Sequence, residues 1–201
     1  MTDPKDDISY MRRLAEQGSR GPIIGGTFLA AAGLIYGTAC FVQWAILAGR
    51  LPIAPSQGGH LWLGASVLFA ILWLVLFARV PRRKFSGSTV SNFAFGMAWT
   101  GCAIGIFVTV GAIAIVADVT RVPAVQNMYA PATMAFYGSA WFVAGAMARR
   151  RWMYVAAVVA FVSTLLTAAM TGDQRQLLVW GTALLLSLAV PGFKMMFEQP
   201  R

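Results

Sequence analysis

Residues 93–117 read FAFGMAWTGCAIGIFVTVGAIAIVA, without a single Asp, Glu, Lys or Arg. A helix of about 20 apolar residues crosses the hydrocarbon core of a bilayer. A surface helix of that length in a soluble protein would carry a charged face. This stretch is therefore written for lipid. Five further blocks, 22–47, 61–78, 129–147, 153–170 and 177–193, are equally free of charge. Residues 171–175, Thr-Gly-Asp-Gln-Arg, separate the last two and read as a tight turn between antiparallel helices.

The rest of the composition agrees. Of 201 residues, 58% are hydrophobic and 11% charged, with a mean hydropathy of +0.67. Soluble domains carry about 25% charge, so an ordinary globular or a disordered protein is excluded. The expectation is an all-α integral membrane bundle of six helices. Residues 1–20 form a cytoplasmic N-terminal segment, 21–193 the membrane domain and 194–201 a short cytoplasmic tail.

Basic residues set the orientation. Lys5, Arg12, Arg13, Arg20, Arg79, Arg82, Arg83, Lys84, Arg149, Arg150, Arg151, Lys194 and Arg201 fall on one side of a six-span arrangement. Only Arg50, Arg121 and Arg175 fall on the other. Retained Lys and Arg mark the cytoplasmic side, which predicts both termini inside. The net charge of +9 is then a matter of topology and anionic lipid, and no nucleic-acid partner is called for. Trp44, Trp62 and Trp180 fall near the outer interface and Trp152 near the inner one, the places where indole rings collect. All nine prolines lie near block ends, so the middle of each span is expected to be unbroken helix.

Before the first block, Asp6 or Asp7 can cap a short helix that stops at Gly18. Ile8, Met11, Leu14 and Ala15 share one of its faces, with Arg12, Arg13 and Glu16 exposed. Such a helix lies on the inner leaflet or docks a cytoplasmic partner. The clusters Arg82-Arg83-Lys84 and Arg149-Arg150-Arg151 serve as topology signals, and also as candidate contacts for lipid headgroups or a partner. The first block is too long for a cleaved signal peptide. Gly37-Thr38-Ala39-Cys40 lacks the leucine of a lipidation box.

Chemistry is sparse. No block contains an ionisable carboxylate or a lysine, which speaks against a carboxylate-driven pump and a retinal Schiff base. The one histidine, His60, could meet Asp118 and Asp173 at the outer side, a thin basis for a metal site. Cys40 and Cys102 lie at depths about 13 Å apart at 1.5 Å per residue, too far for a disulfide, and read as small apolar residues. No catalytic, metal or cofactor set is predicted.

Small residues recur at helix-packing spacing. Gly33 and Gly37 form one G-x-x-x-G and Gly101 and Gly105 another. Such pairs admit close backbone approach, within one chain or between two copies. A short internal likeness joins Tyr36-Gly37-Thr38-Ala39-Cys40-Phe41-Val42 to Tyr137-Gly138-Ser139-Ala140-Trp141-Phe142-Val143. No extension into the other spans is evident, so chance similarity suffices. A three-plus-three inverted repeat would also produce it, as in transporters with a midplane site. Tyr36, Thr38, Tyr137 and Ser139 are then candidate cavity-lining groups, with Gln43, Thr100 and Thr109 as further polar positions.

The run Ile8-Ser9-Tyr10-Met11-Arg12-Arg13-Leu14-Ala15-Glu16-Gln17-Gly18, followed by Pro22-Ile23-Ile24-Gly25-Gly26, resembles the start of a group of uncharacterised six-span inner-membrane proteins of alphaproteobacteria. The resemblance is specific over residues 1–26 and topological beyond them. It implies a bacterial inner membrane and brings no activity. The expected function is a non-enzymatic accessory, sensory or assembly role among membrane lipids and membrane or cytoplasmic protein partners, with a homo-oligomer as one form. A passage for a small neutral or weakly polar solute is the alternative, and a membrane enzyme the weakest reading.

Overall fold

The computed structural model describes residues 25–79 and 90–198, and no strand occurs among them. Helix α1 (Gly26–Leu47) is followed by a 3-10 turn at Pro55–Gln57 that leads into α2 (Gly58–Arg79). Then come α3 (Val90–Thr120), a second 3-10 turn (Pro123–Met128), α4 (Tyr129–Ala148) and α5 (Arg151–Ala169). The chain ends in α6 (Gln176–Leu184), a π-helical segment (Leu185–Ala189) and α7 (Val190–Phe197), which run on as one rod. The expected N-terminal helix, Arg12, Arg13 and the Arg82-Arg83-Lys84 cluster lie outside the described residues.

Five of these rods are long and apolar enough to cross a membrane: α1, residues 55–76, residues 95–120, α5 and residues 176–197. Helix α4 has the length but is not among them. It carries Tyr129, Pro131, Thr133, Tyr137, Gly138 and Ser139, and it is packed by α3, α5 and α6. A helix sheathed by protein need not be as apolar as one facing lipid. Its Met134 and Trp141 are wholly buried, together with Cys40 of α1, Met153 of α5, Leu184 of α6 and Leu188 of the π segment.

Glycine decides how α1 meets the last rod. A Cβ placed on Gly33 would stand 2.5 Å from the Ala189 nitrogen, and one on Gly192 would stand 2.5 Å from the Ala30 nitrogen. Gly26 approaches the Gly192 carbonyl in the same way, and Gly181 approaches that of Gly37. The two backbones touch, which only residues without side chains permit. The first G-x-x-x-G is thus spent inside the chain. In the second, Gly105 accommodates the Phe136 ring, while Gly101 has open space around it.

The α4–α5 hairpin turns in two residues. Arg149 closes α4 in the left-handed conformation (φ 52°), and α5 begins at Arg151. The loop at 171–175 is the tight turn expected: Gly172 has φ 89°, and the Asp173 carboxylate accepts the Arg175 N–H at 2.8 Å.

The last rod departs from the expectation of unbroken helix. Pro191 has no N–H to give to the carbonyl four residues earlier, that of Ser187, and its ring crowds that carbonyl. The helix widens to a π segment over Leu185–Ala189 just before the proline, a local adjustment that re-satisfies freed backbone groups. The Ser187 carbonyl receives the indole N–H of Trp141 from α4 at 2.6 Å. Pro131 at the start of α4 likewise cannot donate to the Asn127 carbonyl. That oxygen receives the side-chain amide of Gln176 from α6 at 3.0 Å, and the same amide also reaches the Thr167 carbonyl of α5 at 2.8 Å. Each proline frees a carbonyl that the other rod caps, so α4 and α6–α7 are latched at two depths.

Helices α2 and α3 are held differently. Among the residues of α2 whose burial is described only Gly58 and Ala65 are buried, and of α3 only Phe95, Cys102 and Ala117. Helix α2 leans on α1 through Phe28–Trp73 and Tyr36–Phe69 ring contacts. Helix α3 leans on α4 through Phe95 and Trp99 against Trp141.

Candidate functional site

The four predicted cavity-lining residues separate into two pairs. Tyr36 and Tyr137 form the inner pair. Both tyrosines are partly buried against the core. The Tyr36 ring sits 5.6 Å from Phe69 of α2, and the Tyr137 ring 6.1 Å from Trp99 of α3. Thr38 and Ser139 are two residues further on and face elsewhere, because successive helix positions two apart point to nearly opposite sides. Both are exposed. Ser139 donates its hydroxyl back to the Ala135 carbonyl of its own helix at 3.0 Å. Thr38 lines a groove of about 510 Å³ between α1 and α2.

That groove is almost wholly apolar. Leu34, Ile35, Ala39 and Val42 form one wall, Leu61, Gly64, Ala65 and Leu68 the other, and His60 sits at one end. Of the two carboxylates that could have met His60, Asp118 is paired with Arg121 at 2.9 Å, and Asp173 is engaged with its own turn. No three His, Cys, Asp or Glu among the described residues stand where they could hold a metal ion together. The two cysteines are free thiols, both buried.

A chain of aromatic contacts runs from the tyrosine pair toward the basic end of the bundle. Trp99 packs on Tyr137 and edge-on to Trp141 at 5.2 Å. Trp141 contacts Trp152 at 5.6 Å. The ammonium of Lys194 rests 5.1 Å above the Trp152 ring. Here Arg150 pairs with Glu198, while Arg149 and Arg151 are exposed. Within this chain the Trp141 indole is satisfied, but those of Trp99 and Trp152 are buried without a hydrogen-bond partner. At the opposite end, Trp62 and Trp180 stack at 5.3 Å, so two of the expected interface tryptophans bind each other across α2 and α6.

Sequence reasoning named Tyr36 and Tyr137 through their shared seven-residue likeness. It passed over Trp99, Trp141, Gln176 and Ser187. Prolines 131 and 191 were the available signal for the last three, because each announces an orphan carbonyl four residues earlier. Nothing in the sequence marks Trp99.

The chain matches no known protein family, and no curated protein or solved structure is detectably similar to it.

Proposed function

We propose that this chain is a six-span bacterial inner-membrane protein with both termini in the cytoplasm, acting as a non-enzymatic accessory protein whose outlying helices engage another membrane component. The carrying observation is the contrast in support. Helices α2 and α3 lean chiefly on α1 and α4 respectively and present apolar side chains around most of their remaining surface. The apolar groove beside α2 adds a concave part to that surface. The excess of Lys and Arg at 149–151 and 194 favours that end as cytoplasmic. The N-terminal resemblance favours the inner membrane. A passage for solute has weaker support, since Thr38 and Ser139 lie away from the tyrosine pair.

The test is photo-cross-linking inside native membranes. A photoreactive residue replaces Leu63 on α2 or Phe107 on α3, exposed by 62% and 82%. Leu165 on α5, exposed by 72%, is the control. The expected outcome is one protein adduct of the same mass identity from Leu63 or Phe107 and only lipid adducts from Leu165. Lipid adducts alone at all three positions overturn the reading.

A further inference from the structure

We propose that the end of the bundle built by the α4–α5 turn and α7 binds the headgroup of an anionic phospholipid, with Arg149 and Arg151 as the cations that hold its phosphate. The fold gathers this charge. Arg149, Arg150 and Arg151 are neighbours in the chain, but Lys194 and Glu198 arrive from the last rod. The Arg150–Glu198 ion pair and the Lys194 ammonium above the Trp152 ring fasten that rod to the turn. Four cations thus share this end with Glu198, its one carboxylate among the described residues. The opposite end is closer to balance. There Asp118 is paired with Arg121, and Asp173 shares a turn with Arg175.

Like charges held together at the edge of a low-dielectric medium repel one another. Within the chain, Glu198 answers Arg150 and the Trp152 ring answers Lys194. Arg149 and Arg151 stand on either side of Arg150, and both are exposed. The planar donor fork of a guanidinium matches two oxygens of a phosphate. A zwitterionic headgroup would bring its own ammonium into this cluster, so a headgroup of net negative charge is selected.

Depth and surroundings give the source of the phosphate. Lys194 lies about 27 Å along the last rod from Gln176 at 1.5 Å per residue, and Arg151 opens a helix of 19 residues. Both therefore mark the edge of a hydrocarbon core about 30 Å thick, the level of lipid headgroups. Beside the arginines the α4–α5 hairpin exposes Phe142, Met147 and Val155, and Phe197 at the end of the rod is exposed by 87%. A soluble anion has no use for these side chains. The acyl chains of a phospholipid run alongside them while its headgroup meets the cations. The inference needs the bundle to stand in a bilayer, and it does not depend on the accessory role proposed above.

The experiment is native mass spectrometry of the full chain in detergent micelles. Dioleoyl phosphatidylglycerol is titrated against dioleoyl phosphatidylcholine, which has the same acyl chains. The expected result is saturable retention of the anionic lipid at concentrations that leave the zwitterionic one unbound. Arg149→Gln/Arg151→Gln should weaken that binding about tenfold or more. Arg121→Gln/Arg175→Gln removes the same charge from the opposite end and should leave it unchanged. Glu198→Gln releases Arg150 and should tighten binding, a gain that a misfolded chain cannot show. Equal retention of the two lipids, equal losses from the two double variants, no gain from Glu198→Gln, or displacement by an equal concentration of glycerol 1-phosphate each overturns the proposal. So does a protein retained in place of lipid and lost with Arg149→Gln/Arg151→Gln.

Discussion

The rod of α6–α7 and helix α3 are similarly charge-poor, yet the protein treats them in opposite ways. Half of the most apolar stretch of residues 176–197 is buried, against 11% in residues 95–120. The last rod meets α1 backbone to backbone through Gly26, Gly33, Gly181 and Gly192. It is also latched to α4 by Trp141 and Gln176. Helix α3 has Gly96, Gly101 and Gly111 with nothing near them. In lipid, apolarity gives no reason for two helices to associate, since acyl chains are as apolar as leucine. What binds helices here is close fit and hydrogen bonds to freed carbonyls. Helix α3 has little of either beyond its contact with α4.

The sharpest way to break this contrast is to add a side chain to a glycine on each side of it. Gly33→Leu drives a side chain into the Ala189 backbone and is expected to cost about 3 kcal/mol or more, at the upper end of overpacking effects. Gly101→Leu meets open space and should change stability by less than about 0.5 kcal/mol. Thermal unfolding of the purified protein in nanodiscs measures both. Equal losses at the two sites would show that α3 is packed as tightly as the last rod.

The proline latch should give a smaller, reversible effect. Trp141→Phe keeps most of the ring but removes the indole hydrogen bond to the Ser187 carbonyl, at a cost of about 0.5–1.5 kcal/mol. Pro191→Ala restores a backbone N–H for that carbonyl. The double variant should recover part of the loss, which would appear as a coupling in a double-mutant cycle. Additive losses would mean that the indole matters only as a space-filler.

The smallest effect is expected on the outlying helices. Leu63→Ala or Phe107→Ala should leave unfolding within about 0.5 kcal/mol of the parent, as for exposed positions away from special features. The same changes should reduce the α2 or α3 cross-link described above. A marked loss of stability without change in the cross-link would place these side chains in an intramolecular contact.

Much of the architecture was readable in the residues. Freedom from charge located six apolar blocks, and each overlaps a described helical rod, the rods extending past most blocks by one to four residues. Gly172 and Asp173 announced the turn between the last two. The candidate site was only half readable. The likeness between Tyr36–Val42 and Tyr137–Val143 picked out both tyrosines, but it carried Thr38 and Ser139 along, and helix geometry turns those away. Trp99 left no trace, because one tryptophan in an apolar run looks like any other.

The sequence by itself determined the solvent and the rods. Charge is costly in hydrocarbon, and a backbone without water must close its own hydrogen bonds, so charge-free blocks become helices whatever their neighbours. Only the tertiary structure decided which face of each helix is inside. These helices are apolar all round, so no periodicity separates a lipid-facing leucine from a core one. It took the approach of α1 to α6–α7 to spend Gly33 and Gly37 on packing while Gly101 stayed bare. It took the meeting of α4 with that rod to give Trp141 the carbonyl that Pro191 had released.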